Sequence, residues 1–203
     1  MIDRSLSPPK RPRLKGYDYS HPGAYFVTLC AHEKAHLFGD IVNGEMRLNR
    51  IGEIVRIEWV RSPELRPELE FGVFVIMPNH VHAIVHIRPT VENDEMTRFL
   101  AMRDSGLGIE ESHCRAQLPA RYRACAGRKP RSLGSFIAGF KAHSTKRINE
   151  LRGTTGVRVW QPDYFESILF SARARLNAQN YILENVSRWE FDKENPLRSL
   201  MRT

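Results

Sequence analysis

Residues 69–88, LEFGVFVIMPNHVHAIVHIR, contain two apolar runs separated by a Pro-Asn pair. The first run, 69–77, is rich in β-branched and aromatic residues, which is typical of a buried strand. The second run, 81–88, alternates apolar and polar residues and predicts another strand. Pro78 and Asn79 between them favour a turn or a strand junction.

The segments on either side predict further strands and helices. Residues 23–31 (GAYFVTLCA) have the composition of a strand, and we expect residues 38–42 to pair with it. The remaining predicted elements are helices at 49–64 (capped by Asn49 and ending near Pro63), 132–151 (ended by Gly153) and 172–189, and a strand at 165–170. This order predicts an α+β fold, with an antiparallel sheet and helices packed on one face.

The length and composition set the domain organisation. The 203 residues are enough for one domain with an apolar core. We expect a flexible basic arm at 1–22, a single domain at 23–190 and a tail at 191–203. Residues 89–131 have few β-branched residues and an acidic patch, which predicts an insertion in the domain.

The charge balance indicates the class of partner. The chain has 31 Lys and Arg against 23 Asp and Glu, a net charge of +8 and a pI near 9.7. These values favour an anionic partner, although a basic protein without such a partner has the same composition. Three cysteines without CxxC spacing and the lack of a long apolar run predict a cytoplasmic protein with no membrane contact.

His80 and His82 flank one apolar residue in the second predicted strand. Residues i and i+2 of a strand point to the same side, so both imidazoles can reach one divalent metal ion. Val81 then packs on the opposite, core-facing side. His86 has the same parity but lies about 13 Å farther along the strand, too far to share the site. Two partly exposed strand histidines without a metal are the alternative interpretation.

Tyr181 and Asn185 are four residues apart in the last predicted helix. At 100° per residue, we expect Leu176 and Leu183 on the apolar side, and Tyr181 and Asn185 near the opposite, polar side. A phenol and an amide oxygen would then lie together. An exposed surface tyrosine without a function remains the alternative for Tyr181.

The two pairs together indicate a metal-assisted reaction at a phosphate. Two imidazoles and an amide oxygen suit Mg²⁺ or Mn²⁺ better than a closed structural zinc site. Such a metal polarises a phosphate and orients it against a nucleophile. The pKa of a free phenol is near 10, so Tyr181 needs activation, and the sequence singles out no general base for it.

Three motifs in this order resemble a known family. MPNHVHAIVHI resembles the HUH motif (His, hydrophobic, His) of single-tyrosine transposases, and WQPDYFES and NYILENVSRW resemble the C-terminal half of the same proteins. The chain is most similar to the REP-associated tyrosine transposases, from about residue 23 to residue 189 without the segment 89–131. HVH alone is a weak signal, whereas the three motifs together are a strong one.

The resemblance implies a ferredoxin-like fold and cleavage of single-stranded DNA at hairpin elements. It implies a covalent 5′-phosphotyrosine link, a free 3′-hydroxyl, and Mg²⁺ or Mn²⁺ as the cofactor. By position in the motifs, Tyr181 matches the nucleophile, and His80, His82 and Asn185 match the metal ligands. The family often has proline where this chain has Val186, which leaves the end of the helix open. Tyr164 is the rival nucleophile.

Several basic residues are candidate DNA contacts. They are Lys10, Arg11, Arg13 and Lys15 in the arm, and Lys141, Lys146 and Arg147 on the predicted helix 132–151. Two other functions remain open: a sequence-specific DNA-binding protein derived from a transposase without cleavage, and a metal-dependent phosphoesterase in which Tyr181 is structural. The resemblance allows either a monomer or a homodimer.

Overall fold

The computed structural model describes residues 14, 17–89, 131–192 and 194–195. In chain order the elements are β1 (Gly23–Cys30), β2 (Gly39–Val42), β3 (Glu45–Leu48), α1 (Arg50–Leu65), β4 (Leu69–Ile76), β5 (His80–Ile87), α2 (Leu133–Arg152), β6 (Phe165–Ile168) and α3 (Ala172–Leu183). Short 3₁₀ turns lie at His32–Lys34 and Trp189–Phe191. The predicted α+β fold is confirmed.

Four strands form an antiparallel sheet in the order β4-β5-β1-β6. Without the β2–β3 hairpin and α3, the chain order is βαββαβ, and the first and third strands of this unit occupy the centre. This is the ferredoxin-like arrangement. In the central pair, Thr28 lies opposite His82 and Cys30 lies opposite His80. The register therefore places His80 and His82 at the beginning of a central strand, beside the end of β1.

Helices cover both faces of this sheet. Strand residues alternate between the faces, and one face joins α1 and α2 in a core that includes Val27, Val81, Trp59, Phe136 and Ile148. The other face packs against α3 through Ala24, Ile84, Leu169 and Ile182. The expectation of helices on one face holds for α1 and α2 but not for α3. The apolar side chains on the second face must also be buried from solvent, and α3 buries them.

The helix ends agree with their predicted capping residues. The Asn49 side chain accepts hydrogen bonds from the backbone nitrogens of Ile51 and Gly52 at 2.9 and 3.0 Å, which caps α1. A side chain at Gly52 would collide with the Phe38 carbonyl oxygen, because an added Cβ would lie 2.1 Å from it. Gly153 ends α2 in the left-handed conformation, with φ of 64°.

The segment 38–42 does not pair with β1, contrary to the expectation from the sequence. Its strand, β2, forms a separate two-stranded sheet with β3. The connection is Asn43-Gly44, and both residues have positive φ values, 54° and 78°. An Asn-Gly pair with this backbone favours a tight hairpin between adjacent strands, and this local preference decides the pairing.

The domain is longer at both ends than predicted. The Tyr17 side chain is buried and its hydroxyl lies 3.1 Å from that of Tyr25, so residues 17–22 pack on the core instead of forming part of an arm. Asp192 and Asn195 are buried too, so the expected tail at 191–203 begins inside the domain. The rest of the arm and the predicted insertion over 90–130 lie outside the described residues. Among the described helices, none is long and apolar enough to cross a membrane.

Candidate metal and nucleophile site

His80 and His82 lie side by side on the face of the sheet that α3 covers. Both side chains are buried, and their ring centroids are 4.3 Å apart. Val81 lies between them in the chain and packs into the core of the opposite face, as predicted. The alternative of partly exposed histidines does not describe this pair. His86 has the expected parity but is not among the residues that converge here.

Hydrogen bonds orient both imidazoles. The Asn79 amide nitrogen donates to the backbone carbonyls of Lys34 and Glu194, which fixes its Oδ1 as the acceptor that faces His80. His80 Nδ1 lies 2.8 Å from this oxygen and must therefore donate. The proton is then on Nδ1, so the Nε2 of His80 keeps a lone pair available for a metal ion.

The His82 ring is also held by a hydrogen bond, to a residue of the neighbouring strand. Its Nδ1 lies 2.8 Å from the Thr28 hydroxyl oxygen, directly across from it in the register. Its Nε2 points into the site, toward Tyr181. The side chain of Phe26 stacks on the ring, with centroids 5.3 Å apart, and holds it in place. Both histidines thus direct Nε2 to one region.

Helix α3 carries Tyr181 to the histidines, but the side of this helix that is buried differs from the one expected from the sequence. Leu176 and Leu183, which we expected on the apolar side, are exposed, whereas Ile182 is buried against the sheet. The buried side of α3 is made by small residues and Ile182, because these allow a close approach to the strands. Asn185 is also buried, and it lies past the helix end, since α3 stops at Leu183 and not at the predicted 189.

The Tyr181 hydroxyl reaches the site directly. It lies 3.4 Å from His82 Nε2, and the two rings meet edge to face at 5.2 Å. The Tyr181 side chain remains 42% exposed, so a substrate from solvent can contact it. The fold therefore brings Tyr181 and His82 together, although they are far apart in the sequence.

Asp192 completes the cluster, and no sequence pattern predicted it. Its Oδ2 accepts a hydrogen bond from the Asn185 amide nitrogen at 3.0 Å and lies 3.4 Å from the Tyr181 hydroxyl. Its Oδ1 accepts from the backbone nitrogen of Glu194 at 2.7 Å. Asp192 follows the last recognisable motif in the chain, and an isolated aspartate in a presumed tail has no periodicity that could have identified it.

Two buried acceptor atoms in the cluster are suited to bind a cation. Within the part of the chain that the structure describes, His80 Nε2 and Asn185 Oδ1 have no hydrogen-bond partner. Unsatisfied buried acceptors are costly, and a cation would satisfy both. Ligand atoms of His80, His82 and Asp192 also lie within 4.8 Å of one another. The nitrogen and oxygen donors thus suit a divalent metal ion.

The same atoms suggest which groups bind and which support. Asp192 Oδ2 already accepts a hydrogen bond from the Asn185 amide nitrogen, so the Asn185 Oδ1 is the atom left for another partner among the described residues. Asp192 Oδ2 is 4.0 Å from His82 Nε2, but this contact is not an ion pair, because burial keeps His82 uncharged. His80, His82 and Asp192 therefore form a group that could hold a metal ion, and the Asn185 side chain is bonded to Asp192 next to it.

Burial controls the protonation of the site. Desolvation, with the nearby charge of Lys34, lowers the pKa of His80 to about 3. Desolvation and the neighbouring His80 hold the pKa of His82 well below its usual range. Desolvation and the charge of Asp192 raise the pKa of Tyr181 to about 12. At neutral pH both imidazoles are therefore ready to bind a metal ion, while the phenol keeps its proton.

The rival tyrosine lies elsewhere. Tyr164 belongs to the core on the α1–α2 face of the sheet, and the Lys141 ammonium is 5.9 Å from its ring centroid. Its hydroxyl approaches Gly134 at the beginning of α2. The structure therefore brings Tyr181, and not Tyr164, to the histidines.

The basic residues predicted on α2 do not belong to this cluster. Lys141 donates to the backbone carbonyls of Gln161 and Asp163, which ties down the loop before β6. Lys146 is exposed, and Arg147 forms an ion pair with Glu58 of α1. Lys146 and Arg147 line a groove between α1 and α2, on the opposite face of the sheet from Tyr181. The four basic residues of the arm, Lys10, Arg11, Arg13 and Lys15, lie outside the described residues.

The chain is similar in sequence to a known protein. The chain is 32% identical over 184 residues to an uncharacterized protein of Haemophilus influenzae, and the match covers 89% of each chain. No protein-family model matches it.

Two solved structures show a lower likeness, at 16% identity each. One is described as a REP-associated tyrosine transposase bound to a REP hairpin, with a TM-score of 0.46 over 93% of this chain and 77% of the other. The second, from Deinococcus radiodurans, is described as a proposed transposase, with a TM-score of 0.37 over 84% of this chain and 95% of the other.

Proposed function

The chain belongs to the same protein family as the Haemophilus influenzae protein. From the chemistry of its site, we propose a function for the protein. It is a metal-dependent transposase that cleaves and rejoins single-stranded DNA at hairpin elements, with Tyr181 as the nucleophile. One observation carries this proposal: the Tyr181 hydroxyl lies 3.4 Å from the Nε2 of His82, one of the residues that could hold a metal ion.

The metal-binding role falls to His80, His82 and Asn185. A bound Mg²⁺ or Mn²⁺ ion supplies Lewis-acid polarisation of the scissile phosphate. Asn79 and Thr28 hold the two imidazoles in orientation, and Asp192 holds the Asn185 amide. These outer contacts keep the donor atoms aimed at one point before the substrate arrives.

Tyr181 attacks the phosphorus atom through its phenol oxygen. A bond forms between this oxygen and phosphorus, and the bond from phosphorus to the 3′-oxygen of the preceding nucleotide breaks. The product is a 5′-phosphotyrosine link and a free 3′-hydroxyl, and rejoining is the reverse attack by a 3′-hydroxyl. The phenol loses one proton and the leaving 3′-oxygen gains one, so the reaction needs no further reactant.

Asp192 is the group that takes the phenol proton. Its Oδ2 is 3.4 Å from the Tyr181 hydroxyl, and general bases act over hydrogen-bond distances of this order. The phenol needs such help because its pKa is raised to about 12 by burial and by the charge of this same carboxylate. Asp192 thus fills the role of general base for which the sequence singled out no residue.

A covalent-adduct assay tests this function. Purified protein is mixed with single-stranded hairpin DNA that has randomised flanks and a 3′ fluorescent label, with Mn²⁺ or with EDTA. We expect a labelled band at the mass of protein plus DNA on a denaturing gel, only with Mn²⁺. Free labelled cleavage products without an adduct would indicate a hydrolase. A band shift on a native gel without cleavage would indicate a DNA-binding protein that does not cleave.

A further inference from the structure

A cavity of about 630 Å³ opens beside Tyr181, between β1, β6 and α3. The strand register builds it, because Phe26 lies opposite Ser167 and Thr28 lies opposite Phe165, all on the α3 side of the sheet. Apart from the site residues, its main lining residues are Phe26, Phe165, Ser167, Leu169, Asn177 and Ala178. The cavity thus has aromatic and apolar walls, with a hydroxyl and an amide.

The cavity is continuous with the candidate site. His82 and Tyr181 both line it. The Phe26 ring stacks on His82 and also meets the Tyr181 ring edge to face at 5.9 Å. A phosphate attacked by Tyr181 would therefore lie at the mouth of the cavity, and one of the two nucleotides joined by that phosphate would be beside the opening.

We propose that the cavity holds the unstacked base of a nucleotide that adjoins the scissile phosphate, in contact with the Phe165 ring. This inference rests on the proposed function, because it takes Tyr181 as the place where the phosphate is attacked. Aromatic side chains bind single-stranded DNA through the faces of its bases, and this stacking is largely independent of sequence. The polar groups of Ser167 and Asn177 can hydrogen-bond to the base edges.

The charges around the cavity favour a base over a second phosphate. Two carboxylates line it, those of Asp192 and Glu194. The cation in the lining, Lys34, is already paired with Glu194 at 3.0 Å. The DNA backbone is repelled by such a wall, whereas an uncharged base is not. Therefore the backbone lies outside and the base turns in.

Fluorescence of 2-aminopurine tests this placement without any cleavage. The probe is a hairpin with oligo-dT flanks and one 2-aminopurine, moved one position at a time, bound to Tyr181→Phe protein in EDTA. We expect strong quenching at one flank position, because the base stacks on an aromatic ring. Phe165→Leu in the same protein keeps an apolar side chain and should restore most of the fluorescence. Val60→Ala, an exposed site on α1, should change nothing.

Abasic DNA gives an independent readout in the active protein. Removal of the base at that position should lower the rate of adduct formation by about tenfold, as expected when one aromatic–base stack is removed. The same removal should have little further effect in Phe165→Leu.

The outcomes separate the two proposals. Binding without quenching at any position, or quenching that Phe165→Leu leaves unchanged, contradicts the base cavity alone. Quenching that depends on Phe165 in a protein that never forms an adduct supports the cavity and contradicts the transposase function. DNA that does not bind at all contradicts both.

Discussion

The Tyr181 hydroxyl lies 3.4 Å from the Nε2 of His82, although 99 positions separate the two residues in the chain. The ferredoxin-like unit places His82 in a central strand, and α3 then crosses the face of the sheet that α1 and α2 leave uncovered. This last crossing brings the phenol to the imidazole. The additional helix therefore assembles the site, while the sheet supplies its histidines.

Loss of one imidazole should remove the response to metal. At a concentration of Mn²⁺ one hundred times its Kd, binding stabilises a protein by about 2.7 kcal/mol, which raises the Tm by several degrees. We expect His80→Ala to lose this rise in a thermal unfolding experiment with and without Mn²⁺. His86→Ala is the matched control, from the same strand and face, and should keep it. An equal rise in His80→Ala would mean that the metal binds elsewhere.

Replacement of Asp192 should slow the chemistry in protein that a thermal unfolding curve shows to be folded. Asp192→Asn keeps the size of the side chain but removes the charge that accepts the phenol proton. General-base contributions are about 10² to 10⁴ in rate, so we expect adduct formation to be slower by about a hundredfold or more. Glu190→Gln, at an exposed neighbouring carboxylate, is the control. A rate for Asp192→Asn within a few-fold of wild type would exclude Asp192 as the base.

The parts of the fold that the sequence predicted well are those with strong local patterns. The apolar runs of β4 and β5 and the Asn49 cap of α1 are local signals, and each is in its expected place. The β2–β3 hairpin was missed although Asn43-Gly44 is a strong turn signal, because the apolar segment before it suggested pairing with β1.

The site was predictable only in part, because some of its residues have no local signature. His80 and His82 are separated by one residue and so share a side of any strand, and Tyr181 falls in a recognisable motif. Helix α3 is weakly amphipathic, and its buried side depends on the close fit to the sheet, which periodicity cannot show. Asp192 acts through contacts with Tyr181 and Asn185 that only the folded chain creates.

The metal-free protein should become less stable as the pH falls. Burial lowers the pKa of His80 to about 3, whereas an unfolded histidine has a pKa near 6.5. The unfolded chain therefore binds more protons between these values, and the stabilisation present above pH 6.5 is lost as the pH decreases toward 3. The loss for His80 is about 2 kcal/mol by pH 5.

Urea unfolding in EDTA at pH 7 and pH 5 measures this effect. The difference in the free energy of unfolding between the two pH values should be smaller in His80→Gln than in wild type by about that 2 kcal/mol. If the two proteins lose the same stability, the imidazole of His80 is not held neutral by burial.

DNA affinity should depend steeply on salt, because each Lys or Arg that neutralises a phosphate releases counterions. A variant with glutamine at positions 10, 11, 13 and 15 removes the cations of the arm and leaves Leu14, whose backbone nitrogen donates to the Tyr19 hydroxyl. The slope of log K against log salt should become shallower by about one unit for each phosphate that is no longer neutralised. Lys146→Gln tests the exposed cation of α2 in the same way, and an unchanged slope would show that the replaced residues do not bind DNA.

The role of Tyr181 as the nucleophile is tested by identifying the residue that bears the DNA. Adduct formed with Mn²⁺ is digested with nuclease and protease, and the peptide with the added nucleotide mass is sequenced by mass spectrometry. We expect the modification on Tyr181, no adduct from Tyr181→Phe, and full adduct from Tyr164→Phe, because Tyr164 packs on the other face of the sheet. A modified Tyr164, or an adduct that persists in Tyr181→Phe, would contradict the account.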